Sequence, residues 1–281
     1  MKIDKHQIFS HNNEFQLETL IAIPDGNPRG MITFVPGIFE TKEMFQPVFE
    51  YYTEKQFLCV AYDHRGTGGS VKEKELIGHL GSNGREELIE DIDAILEYTK
   101  RLYPGLSTFL VTHDYASLIT MSFLKKHDDE IKGLALLNPI GSYSWLKTRK
   151  TMIQYLSIVL PTYFKSQKLN EWFYRKVEKQ SPKQLPFLYT GKSLTDLYEV
   201  AMLPNKKGDY FLKNRNIPIF IGVGEKDHTK GYTSKVKDTL KNNGYHNIDI
   251  RYYKEGDHNL FTGDEKEQLL HDLYLFFTLS L

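Results

Sequence analysis

Apolar residues in this chain fall into short continuous runs separated by longer stretches with helical spacing. Met31-Ile-Thr-Phe-Val35, Phe57-Leu-Cys-Val-Ala-Tyr62, Thr108-Phe-Leu-Val111 and Gly133-Leu-Ala-Leu-Leu137 read as strands buried on both faces. Pro218-Ile-Phe-Ile-Gly222 and Ile248-Asp-Ile-Arg-Tyr-Tyr253 continue the series. Between them lie helical patterns such as Arg85 to Leu102, with apolar positions at Leu88, Ile92, Ile95 and Leu96. Continuous apolar strands alternating with helices predict a mostly parallel sheet covered on both faces. Phe15–Ile23 alternates at first, as an antiparallel edge hairpin does. The alternation stops between about residues 141 and 205, where Pro161, Pro182 and Pro186 divide an aromatic- and lysine-rich stretch into short helices. The pattern therefore predicts a core of residues 1–140 and 206–281, with 141–205 inserted as a helical cap.

The 281 residues suit one large α/β domain with an insertion. Lys+Arg and Asp+Glu balance at 36 each, so charge makes no case for a nucleic-acid partner. The single cysteine, Cys59, sits in a strand-like run, which points to an inert buried thiol and a reducing compartment. With no apolar leader at Met1-Lys-Ile-Asp-Lys and no apolar run near 18 residues, the expectation is a cytoplasmic chain without membrane insertion.

The candidate chemistry centres on Phe109-Leu-Val-Thr-His-Asp-Tyr-Ala-Ser-Leu-Ile119, an apolar strand running through a tight turn into an apolar helix. That is the setting of a nucleophile elbow, in which a sharp turn lifts one side chain above the sheet. The usual Gly-x-Ser-x-Gly is here Thr112-His-Asp-Tyr-Ala116, with a carboxylate at the apex. Asp114 alone reads equally well as a helix cap. Two further stretches favour the elbow. Gly224-Glu-Lys-Asp227 follows one late strand and Asp257-His258-Asn-Leu follows the last, giving the order Asp114, Asp227, His258. In that order His258 would be the base and Asp227 would fix its tautomer. His64, His113 and His228 are rival bases and Asp257 a rival acid. Val35-Pro-Gly-Ile-Phe-Glu40 occupies the place of an oxyanion loop, so the backbone N–H groups of Ile38 and Tyr115 are candidate donors. Asp63-His-Arg-Gly-Thr-Gly-Gly-Ser70 lacks the third glycine of a dinucleotide fingerprint and reads as turn geometry. No cofactor or metal motif is read.

Taken together, these five motifs resemble the α/β-hydrolase superfamily, and within it the lysophospholipase and monoacylglycerol lipase branch, over roughly residues 30–279. The resemblance implies an eight-stranded α/β-hydrolase fold and a small-molecule or lipid-like substrate. Pro36 and Asp114 depart from the branch, which carries histidine and serine there. The His-Asp-Tyr elbow is closer to the His-Asp-Trp of epoxide hydrolases and haloalkane dehalogenases, whose carboxylate attacks saturated carbon. A carboxylate attacking an ester would instead form a high-energy anhydride. Three readings follow: a hydrolase with Asp114 as nucleophile, a lipid-ester hydrolase with altered chemistry, or a silent ligand-binding homologue. Among cap aromatics, Trp145, Tyr155 and Trp172 are candidate substrate contacts, with cap packing as the alternative.

Overall fold

The computed structural model describes residues 1–141, 163–178, 185–206 and 212–281, with the side chains of 176–178 excepted. Trp145 and Tyr155 lie outside the described residues, as does most of the first half of the expected cap. Eight strands form one sheet among the described residues: β1 Lys2–Phe9, β2 Gln16–Ile23, β3 Gly30–Val35, β4 Phe57–Tyr62, β5 Thr108–His113, β6 Gly133–Leu137, β7 Ile219–Gly224 and β8 Ile248–Tyr253. Their order is β1-β2-β4-β3-β5-β6-β7-β8. Pairings β1–β2 and β2–β4 are antiparallel and the remaining five are parallel. Strands β3 to β7 are buried at every residue, as their unbroken apolar runs require, whereas edge strand β8 is largely exposed.

Successive strand residues serve opposite faces. Leu110, Leu134 and Leu136 join a core with Leu88, Ile92, Leu118 and Val236, while Phe109, Val111, Ala135 and Leu137 join Phe45, Phe49, Tyr52, Leu273 and Phe277. Helices α2 (Gly84–Leu102), α3 (Ala116–His127) and α6 (Thr233–Asn242) accordingly cover one face. Helices α1 (Gln46–Glu54) and α7 (Lys266–Leu279) cover the other. Between them in the chain come α4 (Gln167–Glu178) and α5 (Gly191–Val200), which contribute Phe173, Leu194 and Leu197 to the first core. None of these helices is long and apolar enough to cross a membrane.

The chain leaves β4 on one side of β3 and returns as β5 on the other, so the strand order reverses there. Such a switch point opens a crevice at the carboxyl ends of the strands. Every candidate catalytic residue lies in a loop at those ends.

Candidate active site

The elbow is built as its sequence implied. Strand β5 ends at His113, and Asp114 sits at φ +51°, in the left-handed region that Asp tolerates better than most residues. Its N–H donates to the Leu137 carbonyl of β6 at 3.0 Å, and its carbonyl accepts from Ser117 N–H at 3.1 Å. The N-cap of α3 is Tyr115, one residue later than a capping Asp114 requires. A non-glycine residue held at positive φ where a strand meets a helix fits a functional constraint better than a capping one.

Asp227 and His258 meet across β7 and β8, with Nδ1 of His258 donating to Oδ2 of Asp227 at 2.7 Å. The other carboxylate oxygen accepts the Thr229 N–H at 2.6 Å, as the cap of a short turn over His228–Tyr232. Burial opposes charge on His258. The bond to Asp227 and the charges of Asp114, Asp227 and Glu40 outweigh it, and the imidazole is lifted to about 9. Burial likewise pushes the Asp227 carboxyl up, but the His258 bond and charge prevail and hold it down at about 2. At neutral pH the two form an ion pair whose second carboxylate neighbour is Asp114.

Asn138 fixes that pair from below. It lies at the end of β6, fully buried and at φ +45°. Its Oδ1 accepts the Gly224 N–H at 2.8 Å. Its amide donates to the carbonyls of Asp257 at 2.9 Å and His258 at 2.7 Å. One side chain thus ties the acid loop to the histidine loop.

The loop after β3 is pinned at three consecutive peptides. His64 Nε2 bonds the Pro36 carbonyl at 2.8 Å. Gly37 N–H donates to Glu40 Oε2 at 2.6 Å, and the Gly37 carbonyl accepts from Glu40 N–H at 3.2 Å. Because the peptide is trans, that last bond aims the Ile38 N–H away from Glu40. The Ile38 carbonyl in turn accepts the buried Tyr189 hydroxyl. A Cβ on Gly37 would stand 2.7 Å from Glu40 Oε2 and 3.4 Å from Asp114 Oδ2, so the loop passes directly over the elbow carboxylate.

The rivals resolve by their partners. Asp257 is exposed and its carboxylate accepts the Asn259 N–H, not His258. Deeply buried His64 serves the Pro36 carbonyl, and burial pulls its pKa down. His228 stacks on His258 with centroids 6.0 Å apart and lies 3.1 Å from Asp227 Oδ1. His113 lies beneath the site, between Glu40 and the His258 carbonyl. Trp172 is half-buried against the core of α2 and α3, in keeping with the packing alternative. Cys59 is a buried free thiol, and burial pushes it up well beyond ionisation.

Asp63–Ser70 is structural, as read. Asp63 accepts Lys42 Nζ at 2.6 Å, Lys42 N–H at 2.8 Å and Gly69 N–H at 2.7 Å. Arg65, fully buried, makes a two-pronged bond to Asp91 at 2.7 and 2.8 Å. Gly66 and Gly68 hold φ of +71° and +49°. Three groups among the described residues bring donor atoms within 4.8 Å of one another, as a divalent metal requires: Glu18-Glu43-Asp63, which surrounds the Lys42 ammonium, and, in the site, Glu40-His113-His258 and Asp227-His228-His258. Their close approach is already accounted for by that ammonium and by the hydrogen bonds and short contact given above.

Sequence reasoning missed Asn138, Tyr189 and the Glu40–His113 pair. The last had a signal, because a glutamate three residues after Gly37 is placed to bond back to that turn.

Comparison with known proteins places the chain. The family described as serine aminopeptidase, S33 (Hydrolase_4) matches residues 26–266. Human monoglyceride lipase is 22% identical over 117 residues, 42% of this chain and 37% of the lipase, so the match spans about a third of that relative. A carboxyl esterase of Bacillus coagulans shares the fold at TM-score 0.79 and 17% identity, covering 99% of this chain and 98% of the esterase. An epoxide hydrolase of Vigna radiata shares it at TM-score 0.62 and 13% identity, with 98% of each chain covered. An aspartate stands at the elbow apex of this chain, but with the family model matching 241 of 281 residues, the chain belongs to the α/β-hydrolase family described as serine aminopeptidase, S33.

Proposed function

We propose that this protein hydrolyses a small or lipid-like substrate at a saturated electrophilic carbon, an epoxide in preference to a haloalkane, with Asp114 as covalent nucleophile. The observation that carries the reading is geometric: a carboxylate, Asp114, stands at φ +51° where β5 turns into α3, and its neighbour is His258, whose Nδ1 is held by Asp227 at 2.7 Å. Lifted to about 9 between Asp227 and the charge of Asp114, His258 is a proton donor at neutral pH beside an anionic nucleophile.

In the first step an Asp114 oxygen attacks the epoxide carbon and the ring C–O bond breaks. The imidazolium proton passes to the departing oxygen, leaving a β-hydroxyalkyl ester on Asp114 and neutral His258. A halide would leave without needing that proton, which favours the epoxide. Esterification also removes the Asp114 charge, one of the groups supporting the imidazolium, so the neutral form of His258 that the next step needs becomes more populated. Water then attacks Asp114 Cγ and gives its proton to His258, and the tetrahedral oxyanion is met by the N–H groups of Ile38 and Tyr115. Collapse releases the diol, and the Asp114 carboxylate and imidazolium are restored. Residues 141–205 would act as the cap excluding bulk water, with Tyr189 tethering it to the Ile38 loop. The buried Cys59 suits a reducing, cytoplasmic setting.

Intact mass spectrometry of His258→Gln after exposure to epoxides, haloalkanes and carboxylic esters tests the proposal. The amide can neither act as the base nor give up a proton, so at mildly acidic pH, where solvent protonates the departing oxygen, an adduct of one whole epoxide should form slowly, accumulate on the Asp114 peptide and be absent from Asp114→Asn. An acyl adduct from the esters would favour ester hydrolysis by altered chemistry. No adduct from any class would favour ligand binding without turnover.

A further inference from the structure

His113 stands immediately before the apex of the elbow. It is fully buried, and both ring nitrogens meet oxygen. Nδ1 lies 2.8 Å from Glu40 Oε1, and Nε2 lies 2.8 Å from the carbonyl oxygen of His258. A backbone carbonyl only accepts, so Nε2 carries a hydrogen. Glu40 Oε2 already accepts the Gly37 N–H at 2.6 Å, which suits a carboxylate, so Nδ1 carries one as well. Both contacts are met by a doubly protonated ring against an ionised Glu40, the state that the charges of Glu40 and Asp114 favour against burial. The same His258 carbonyl takes the Asn138 amide on its other side at 2.7 Å, so both of its lone pairs are used.

We propose that His113 is a positioning residue, a doubly protonated imidazole that with Glu40 clamps the Ile38 loop and the His258 loop together over Asp114. The pair links three loops that the chain brings from β3, β5 and β8. Glu40 holds the Gly37 turn from which the Ile38 N–H projects, and His113 holds the backbone of His258 while Asp227 holds its ring. Three groups bear on the His113 proton. Glu40 and Asp114 favour it, while His258 and burial oppose it; the balance lifts His113 and lowers Glu40. Loss of the proton would leave an imidazole lone pair facing a carboxylate at 2.8 Å, and the clamp would open. The inference rests on Asp114, His258 and the Ile38 loop forming one site, and not on which substrate they act upon.

NMR of the resting protein without substrate keeps the two questions apart. In wild type at pH 7, both His113 ring nitrogens should show the protonated signature. The midpoint for losing one proton should lie above the ordinary histidine value of ~6.5. Across that midpoint the Ile38 amide and the His258 ring resonances should shift in step with His113. Glu40→Gln should lower the His113 midpoint by about 1 unit or more, the effect expected of removing an opposite charge in contact. It should also move the Ile38 amide at constant pH. A purely packing role for His113 would leave those two reporters uncoupled from its titration. An unprotonated Nδ1 at pH 7 would overturn the proposal, as would Ile38 and His258 resonances indifferent to both the titration and Glu40→Gln. Because the wild-type titration stands alone, the proposal remains testable if the variant misfolds.

Discussion

At the scale of single residues, the chemistry depends on what surrounds one imidazole. Hydrogen bonding to Asp227 is the largest influence supporting charge on His258, ahead of the Asp114 charge, and together they overcome burial. Asp227→Asn should therefore lower the His258 midpoint from about 9 further than Asp114→Asn does, and NMR titration of the ring reads both. The signs also fix the pH dependence of stability. A raised histidine contributes fully below its unfolded value near 6.5 and loses that contribution as pH rises through about 9. A lowered aspartate contributes above its ordinary value of 3.8 and loses that contribution as pH falls through about 2. Thermal unfolding of wild type should show the pair's full contribution between about pH 4 and 6.5, with an alkaline decline that Asp227→Asn flattens. The identity of the nucleophile makes a further test. Asp114→Ser should hydrolyse an activated short-chain ester faster than wild type, because it places a hydroxyl beside His258, below a loop whose peptides are already pinned. An active wild type and an inactive serine variant on the same chromogenic ester would contradict the assignment.

At the scale of elements, the sequence was legible where burial is two-sided and opaque where it is not. Strands β3 to β7 announce themselves because every residue is buried, so apolar runs have no interruptions. Phe15–Ile23 read as part of an edge hairpin, and it is β2. Its partner β1, Lys-Ile-Asp-Lys-His-Gln-Ile-Phe, was not read as a strand. Most of its residues are exposed, so its pairing is set by backbone bonds that leave no hydrophobic signature. The meeting of Asp227 with His258 was legible because the loops after β7 and β8 carry them, in an order that follows Asp114 after β5. Asn138 was not, since an asparagine after a strand most often marks a turn. Its role exists only because β6 lies between the elbow strand and the acid strand. Asn138→Ala would leave the buried Gly224 N–H without its acceptor, costing about 1–3 kcal/mol. It would also free the Asp257–His258 backbone. Chemical denaturation should register the loss, and the His258 ring resonance should broaden or shift even where the variant stays folded.

At the scale of the whole molecule, the strand reversal around β3 explains why residues from positions 37 to 258 form one centre. Loops after β3, β5, β6, β7 and β8 converge at one end of the sheet and are bonded to one another, Glu40 to His113, His113 and Asn138 to His258, and Asp227 to His258, while Tyr189 reaches the Ile38 carbonyl from the segment before α5. The fold alone is shared with esterases, lipases and epoxide hydrolases, and does not choose among their chemistries. We propose that the choice lies in the carboxylate at the apex, and the central consequence of that proposal is that the oxygen delivered to substrate comes from Asp114. Single turnover in ¹⁸O-water, with enzyme in excess over a reactive epoxide, measures this directly. Water attacks the Asp114 carbonyl carbon, so the diol should contain no ¹⁸O while the Asp114 peptide gains one ¹⁸O atom. A diol carrying the label, with Asp114 unlabelled, would mean that water attacks the substrate itself and would contradict covalent catalysis by Asp114.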